Sequence, residues 1–272
     1  MDAALAREIE AHEGKAWAAC VAATAEAEGN PLLASVDLVA GVRVPALGAI
    51  DAGLFNRVIG LGVDIPATDA LVGGIQASYA DRDQTSYVVE VSPVTEPGDA
   101  RARLEARGLV DTGARQAKCW QAPAMYDEDG MEVVATLGPD DADEFAQVNM
   151  LAWGTPAFLA IWFGATLYAE DFRHFGVRVD GRLVATGAMY VSDGLAWLGF
   201  GATLPEHRGR GMQSALLARR VHEAAVLGCR WVHTETAAHT SEHHNPSLSN
   251  MLRTGFDNPY DKEWWSPPTA VE

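Results

Sequence analysis

Two Asp-Gly pairs, Asp180-Gly181 and Asp193-Gly194, separate three apolar runs at residues 172–179, 182–191 and 195–203. Asp-Gly supplies two consecutive residues at positive φ, which the tight type I′ hairpin needs for its twist to match that of its flanking strands. The three runs are therefore predicted to fold as an antiparallel meander. Residues committed to two adjacent hairpins leave no room for the helical crossovers that parallel strands require.

Beyond the third run the sequence reads Pro205, then Arg208-Gly209-Arg210-Gly211-Met212-Gln213-Ser214, then Leu216, Leu217, Arg220, Val221 and Ala224 at helical spacing. A turn with glycines at alternate positions lets successive backbone N–H groups converge on an anion, and the helix start adds partial positive charge. Arg208 and Arg210 add charge-assisted donors. The ligand this physics selects is a pyrophosphate; the other reading is a strand-to-helix turn carrying two solvated arginines. There is no Gly-Lys-Ser/Thr of a P-loop, and the hairpins before the turn differ from the crossover of a dinucleotide-binding fold.

A strand is predicted at 132–136, a helix opening at Gly138-Pro139-Asp140-Asp141, and a buried helix from Pro156 through the apolar run 157–168, which is too short to cross a bilayer. After the glycine turn and its helix come a strand at 230–236, a helix at 247–254 ending at Gly255, and a last strand around Trp264-Trp265. The first half shows the same order more faintly: strand-like 55–61, helical 67–80, strand 86–91, helix 98–107, strand 114–120. A degenerate tandem repeat follows. The Pro- and Gly-interrupted acidic segment 121–130 is the linker candidate, dividing the chain into domains at 1–130 and 131–272. The expected fold class is α+β, a mixed, mainly antiparallel sheet flanked by helices.

The formal charge of −17 is shared by both halves, with 20 acids against 10 bases in residues 1–130 and 17 against 10 in 131–272. Such a surface disfavours nucleic acid, which needs clustered Lys and Arg. Cys20, Cys119 and Cys229 are isolated, which argues against a disulfide framework or a thiolate zinc site. Residues 1–8 lack the pattern of a signal peptide, so the expected location is the cytoplasm, with no membrane partner. The tract His233, His239, Glu242, His243 and His244 has no regular ligand spacing, and no metal is expected.

From residue 132 onward the sequence resembles the GNAT acyltransferases, whose acyl-CoA motif is Arg/Gln-x-x-Gly-x-Gly/Ala after a strand and a proline. Arg208 takes the first place and Gly211 the fourth; Gln213 stands at the sixth, a departure. The first half resembles such a domain in element order only: after Leu61-Gly62 it has Val63-Asp64 and no arginine. The resemblance implies that acetyl-CoA is the acyl donor, held by Arg208, Gly209, Arg210, Gly211, Met212, Gln213 and Ser214 at its phosphates and by Gly201, Ala202 and Thr203 at its pantetheine and thioester. Asn245 is carried over as a pantetheine contact. A small amine then attacks the thioester directly, which requires a general base, an oxyanion donor and a proton for the departing thiolate. Many relatives place a tyrosine four residues before the Gly-Phe pair as that acid. Here the residue is Met251, with Ser247 and Ser249 as nearby hydroxyls.

For the base, Glu235 is the candidate, on the strand face it shares with Trp231 and His233; Glu206, His207 and His233 are the rivals, and an ion-pairing or strand-end role is the alternative for Glu235 itself. The leading reading is an N-acetyltransferase acting on an amine, as a monomer or homodimer; the alternative is a non-catalytic acyl-CoA-binding regulatory protein.

Overall fold

The two Asp-Gly pairs adopt positive φ at both positions (Asp180 51°, Gly181 80°, Asp193 52°, Gly194 73°), in a computed structural model that describes residues 1–126, 133–242 and 244–268. In chain order the helices and strands are α1 (Ala3–Ala25), β1 (Ala34–Val39), β2 (Val42–Leu47), β3 (Arg57–Val58), α2 (Asp69–Ala80), β4 (Val88–Val91), α3 (Ala100–Ala106) and β5 (Val110–Gln121). They continue with β6 (Val134–Leu137), α4 (Ala142–Trp153), α5 (Ala160–Gly164), β7 (Phe172–Val179), β8 (Arg182–Ser192), β9 (Leu195–Thr203), α6 (Met212–Val226), β10 (Trp231–Ala237), α7 (Pro246–Arg253) and β11 (Asp257–Ser266). The class is the expected one, a mixed, mainly antiparallel sheet flanked by helices.

The chain forms two units, Met1–Lys118 with Pro259–Glu272, and Cys119–Asn258. The last strand thus returns to the first unit: β11 pairs antiparallel with β4, Trp264 opposite Glu90. Sequence periodicity marks a strand but carries no record of its pairing partner. Of the linker candidate, residues 121–126 belong to the second unit, Gln121 as the end of β5; residues 127–130 lie outside the described residues, as does Glu132 at the start of the predicted strand.

In the first unit the strand order is β3-β4-β11-β5, with β3 and β4 parallel, beside a separate β1-β2 hairpin. An apolar core formed by α2 (Leu71, Val72, Ile75), Val42, Val44, Val89, Val91 and Trp265 surrounds Tyr79, whose ring stacks on Tyr87 at 4.4 Å and whose hydroxyl donates to the Pro45 carbonyl at 3.0 Å. A charged cluster is also fully buried. Lys262 on β11 contacts Glu13 at 2.6 Å and Glu90, with Glu10 at 3.9 Å, and Lys118 contacts Glu13 at 2.7 Å. Arg57 pairs with Glu90 at 3.1 Å and lies 4.0 Å over the Trp17 ring. Within the first unit three of these acids meet three bases, and that pairing is what makes burial of so much charge tolerable. Burial raises the Glu10 pKa against the pull of both lysines, and Tyr260 donates to Glu10 Oε1 at 2.7 Å. Burial acts the same way on Glu13, but Lys118 and Lys262 more than offset it and hold that carboxyl far below the usual range.

In the second unit the order is β10-β9-β8-β7-β6, with the predicted meander as its centre. The apolar run after Pro156 is a broken helix, α5 between two single-turn 3-10 segments. Trp162 and Phe163 are buried there, while Phe158 is exposed. The three cysteines are buried and form no disulfide. Among the described residues no helix is long and apolar enough to cross a membrane.

Candidate active site

The register of β8 and β9 shifts between Thr186 opposite Ala202 and Ala188 opposite Gly199. Two residues of β9, Phe200 and Gly201, therefore face one of β8, Gly187, which is a β-bulge. Phe200 adopts φ 51°, a left-handed conformation that a bulky residue holds only when its surroundings fix it. Four aromatic rings do so, with Phe145, Trp162, Phe163 and Trp197 meeting the Phe200 ring edge-on at 6.0–6.3 Å between centroids. Arg220 of α6 holds the bulge from another side, donating to the Ala188 carbonyl at 3.1 Å and to Gly199 at 3.2 Å. Burial lowers the Arg220 pKa to about 10.

The parallel pairing of β9 with β10 covers three residue pairs, Trp231 with Leu195 to His233 with Trp197, and the Thr234 hydroxyl then takes the Leu198 carbonyl at 2.9 Å. Residues 199–203 of β9 thus continue past the end of that ladder. Glu235 lies two residues beyond the last paired position and is partly buried. His233, its rival, is fully buried inside the ladder.

Past β9, Gly209 and Gly211 adopt φ 76° and 79°, and a Cβ at either would meet nothing within 4 Å. Backbone conformation, rather than crowding, is what demands glycine here. Gly211 is the N-cap of α6 and, among the described residues, no side chain caps that end. The two arginines are partly engaged. Arg208 donates from Nε to the Thr203 carbonyl (3.2 Å) and from Nη2 to Ala152 (3.0 Å), and Arg210 Nη2 donates to Glu206 (3.2 Å). A guanidinium has five donors, so each retains some for an anion.

The first unit contains a glycine turn at the place where the sequence has Leu61-Gly62 and no arginine. Gly60 and Gly62 adopt φ 84° and 70°, followed by α2 and the parallel strand β4. Its environment is the opposite. A Cβ on Gly62 would lie 2.4 Å from the Glu96 carbonyl oxygen, Glu96 N–H donates to the Gly62 carbonyl at 2.9 Å, and the Thr68 hydroxyl caps α2 at Leu71 N–H. Thus one turn is filled and capped while the other is open and uncapped.

Asn245 caps α7. Its Oδ1 accepts from Ser247 N–H at 2.8 Å, and its Nδ2 donates to the Thr236 hydroxyl at 3.0 Å and the Ala237 carbonyl at 2.6 Å. Both of its donor hydrogens are occupied in fastening α7 to β10. Met251 is buried on α7. Ser249 Oγ lies 2.7 Å from His244 Nε2, and the His244 ring stacks on His239 at 4.3 Å; His243 lies outside the described residues.

Residues 140–256 match the model of the Acetyltransferase (GNAT) family. They are a GNAT domain. The match lies wholly within the second unit, and it includes the bulged strand, the glycine turn, α6 and α7. Among solved structures, a GCN5-related N-acetyltransferase from Kribbella flavida is 17% identical with TM-score 0.60, covering 92% of this chain and 95% of its own. A tandem GNAT protein from the clavulanic acid biosynthesis pathway, solved without AcCoA, is 18% identical with TM-score 0.57, covering 82% and 77%. A GCN5-related N-acetyltransferase from Sphaerobacter thermophilus is 18% identical with TM-score 0.51, covering 72% and 65%. These identities establish a shared fold. No curated protein matches the sequence. The GNAT family suggests acyl transfer from acyl-CoA.

Proposed function

We propose that the GNAT domain binds acetyl-CoA as its acyl donor at the Gly209–Gly211 turn and transfers the acetyl group to a small amine. The observation that carries this reading is the contrast between the two glycine turns. A diphosphate needs converging N–H donors and empty space above them. At Gly209 and Gly211 the φ angles are positive, a Cβ would meet nothing within 4 Å and no side chain caps the helix start, which supports a ligand there, whereas Glu96 packs into the turn at Gly62. One acetyl-CoA per chain is expected, with the first unit serving as structural partner.

In this reading the backbone of Gly209 to Ser214 and the remaining donors of Arg208 and Arg210 hold the phosphates. The pantetheine follows Gly201, Ala202 and Thr203, where β9 has left its ladder with β10. The amine nitrogen attacks the thioester carbon, the oxygen takes up negative charge, and the C–S bond breaks as the tetrahedral intermediate collapses. Glu235 accepts the amine proton, directly or through water. The acidic surface suits an amine better than a phosphate polymer, and the setting is cytoplasmic, as monomer or homodimer, without nucleic acid or membrane.

Buried Met251, at the place where a tyrosine would protonate the thiolate, favours a second reading, a non-catalytic acyl-CoA-binding protein. Release of CoA thiol from acetyl-CoA in the presence of an amine panel separates the two. Turnover supports the enzyme; tight binding with no thiol release on any amine supports the regulator. Once an acceptor is found, Glu235→Gln is expected to lower turnover at least tenfold, with partial recovery at higher pH and unchanged acetyl-CoA affinity. Near-normal turnover would remove Glu235 from the chemistry.

A further inference from the structure

Gln213 stands where the resembled motif has glycine or alanine, so its side chain requires an explanation of its own. It does not project over the phosphate turn. It folds back from the first turn of α6 onto the bulged strands, where Nε2 lies 2.6 Å from the Ala202 carbonyl, 3.0 Å from the Thr203 hydroxyl and 3.3 Å from the Thr186 carbonyl. Carbonyl oxygens only accept, so the atom facing them must be the amide nitrogen, and the orientation of the side chain is chemically determined. Oε1 consequently points the other way, to within 3.1 Å of where a Cβ on Gly201 would sit. Gly201 is exposed, and Oε1 has no hydrogen-bond partner among the described residues. A half-buried amide, fixed through its nitrogen, thus presents a bare acceptor beside the strand segment that has left its ladder.

We infer that Gln213 Oε1 is a direct contact for the acyl donor, accepting a hydrogen bond from an amide N–H of a pantetheine chain lying against Gly201. The inference rests on the acyl-CoA reading above. The side chain returns in a new position the acceptor function that it removes by occupying the Ala202 carbonyl. A ligand amide is the matching group, because pantetheine carries two secondary amides and the nucleotide end of CoA carries none. The same geometry makes Gly201 and Gln213 interdependent, since a Cβ at Gly201 would press on Oε1.

The test uses the full chain and two ligands, acetyl-CoA and adenosine 3′-phosphate 5′-diphosphate, which keeps the nucleotide and diphosphate and lacks the pantetheine. Calorimetry is run on wild type, Gln213→Ala and Gln213→Met, the last retaining side-chain length without a donor or carbonyl acceptor. Loss of one hydrogen bond should weaken acetyl-CoA roughly five- to tenfold in both variants and leave the adenosine ligand unchanged. Unchanged acetyl-CoA affinity overturns the inference. Equal weakening of both ligands also overturns it, because it would make Gln213 a prop for the phosphate turn. Wild type that binds neither ligand would instead overthrow the acyl-CoA reading, and this inference with it.

Discussion

Gly187 and Arg220 should be energetically inseparable. A Cβ at Gly187 would lie 2.7 Å from Arg220 Cζ and 3.0 Å from Nε and Nη1, far inside normal contact. The guanidinium cannot yield freely, because Nε donates to the Leu216 carbonyl at 3.0 Å while Nη1 serves Ala188 and Gly199. Gly187→Ala must therefore break at least the two bonds made by Nη1. With hydrogen bonds to a charged group contributing about 1.5–3 kcal/mol each to net stability, and part recovered by relaxation, the expected destabilisation is about 2–4 kcal/mol. Arg220→Met removes the same bonds but also a buried cation, and should cost about 1–3 kcal/mol. In the double variant the alanine has room, so the costs should fall short of additivity by about 1.5 kcal/mol or more. Urea unfolding of the four proteins, compared at equal m, measures this. Additivity within about 0.5 kcal/mol would refute the idea that Gly187 is glycine in order to admit Arg220, and with it the claim that Arg220 pins the bulge.

Other perturbations separate the remaining parts. Arg210→Ala should weaken acetyl-CoA roughly tenfold or more without loss of stability, whereas Arg208→Ala should weaken it and also lower the melting temperature, since only Arg208 ties Thr203 to Ala152; equal affinity in the double variant would remove both from the site. Lys262→Met leaves Glu13 and Glu90 short of a buried counter-charge and should cost about 3–5 kcal/mol, detected as early exchange of the β4 and β11 amides; an unaffected melting curve would contradict the role of the cluster in holding β11. His174 is buried against Phe145 and Phe172, 2.9 Å from the Thr166 hydroxyl, and burial lowers its pKa to about 3. The unfolded chain, with its histidine near 6.5, then binds the extra proton between those values, so stability falls as pH drops through that window, by about 2–3 kcal/mol from this residue at pH 4.5. Urea midpoints of His174→Gln should be flatter than wild type over that range, and parallel curves would show that His174 does not titrate this way.

The meander was legible almost residue by residue because Asp-Gly fixes both turn conformation and register within four residues. The helix after the glycine turn was legible for a similar reason, with glycine at its start and regular apolar spacing along it. What lay hidden depended on contacts between distant residues. Nothing around Phe200 marks a positive φ, since the aromatic rings that hold it come from residues 145, 162, 163 and 197. Gln213 looked like a weakened motif position until its side chain was seen bonded to β8 and β9. Nothing in the sequence marks Glu10 and Glu13 as buried, because their partners Lys118 and Lys262 are far along the chain. Asn245 carried a binding role by resemblance; in the structure its Oδ1 caps α7 and its Nδ2 hydrogens go to Thr236 and Ala237.

The decisive measurement is the location of the diphosphate in a crystal structure of the full chain with acetyl-CoA. It should lie within hydrogen-bond reach of the N–H groups between Gly209 and Ser214, at one site per chain, with the pantetheine amide at Gln213. A diphosphate seated at Gly60 and Gly62, or acetyl-CoA bound away from both turns, would contradict the assignment of the open turn as the donor site.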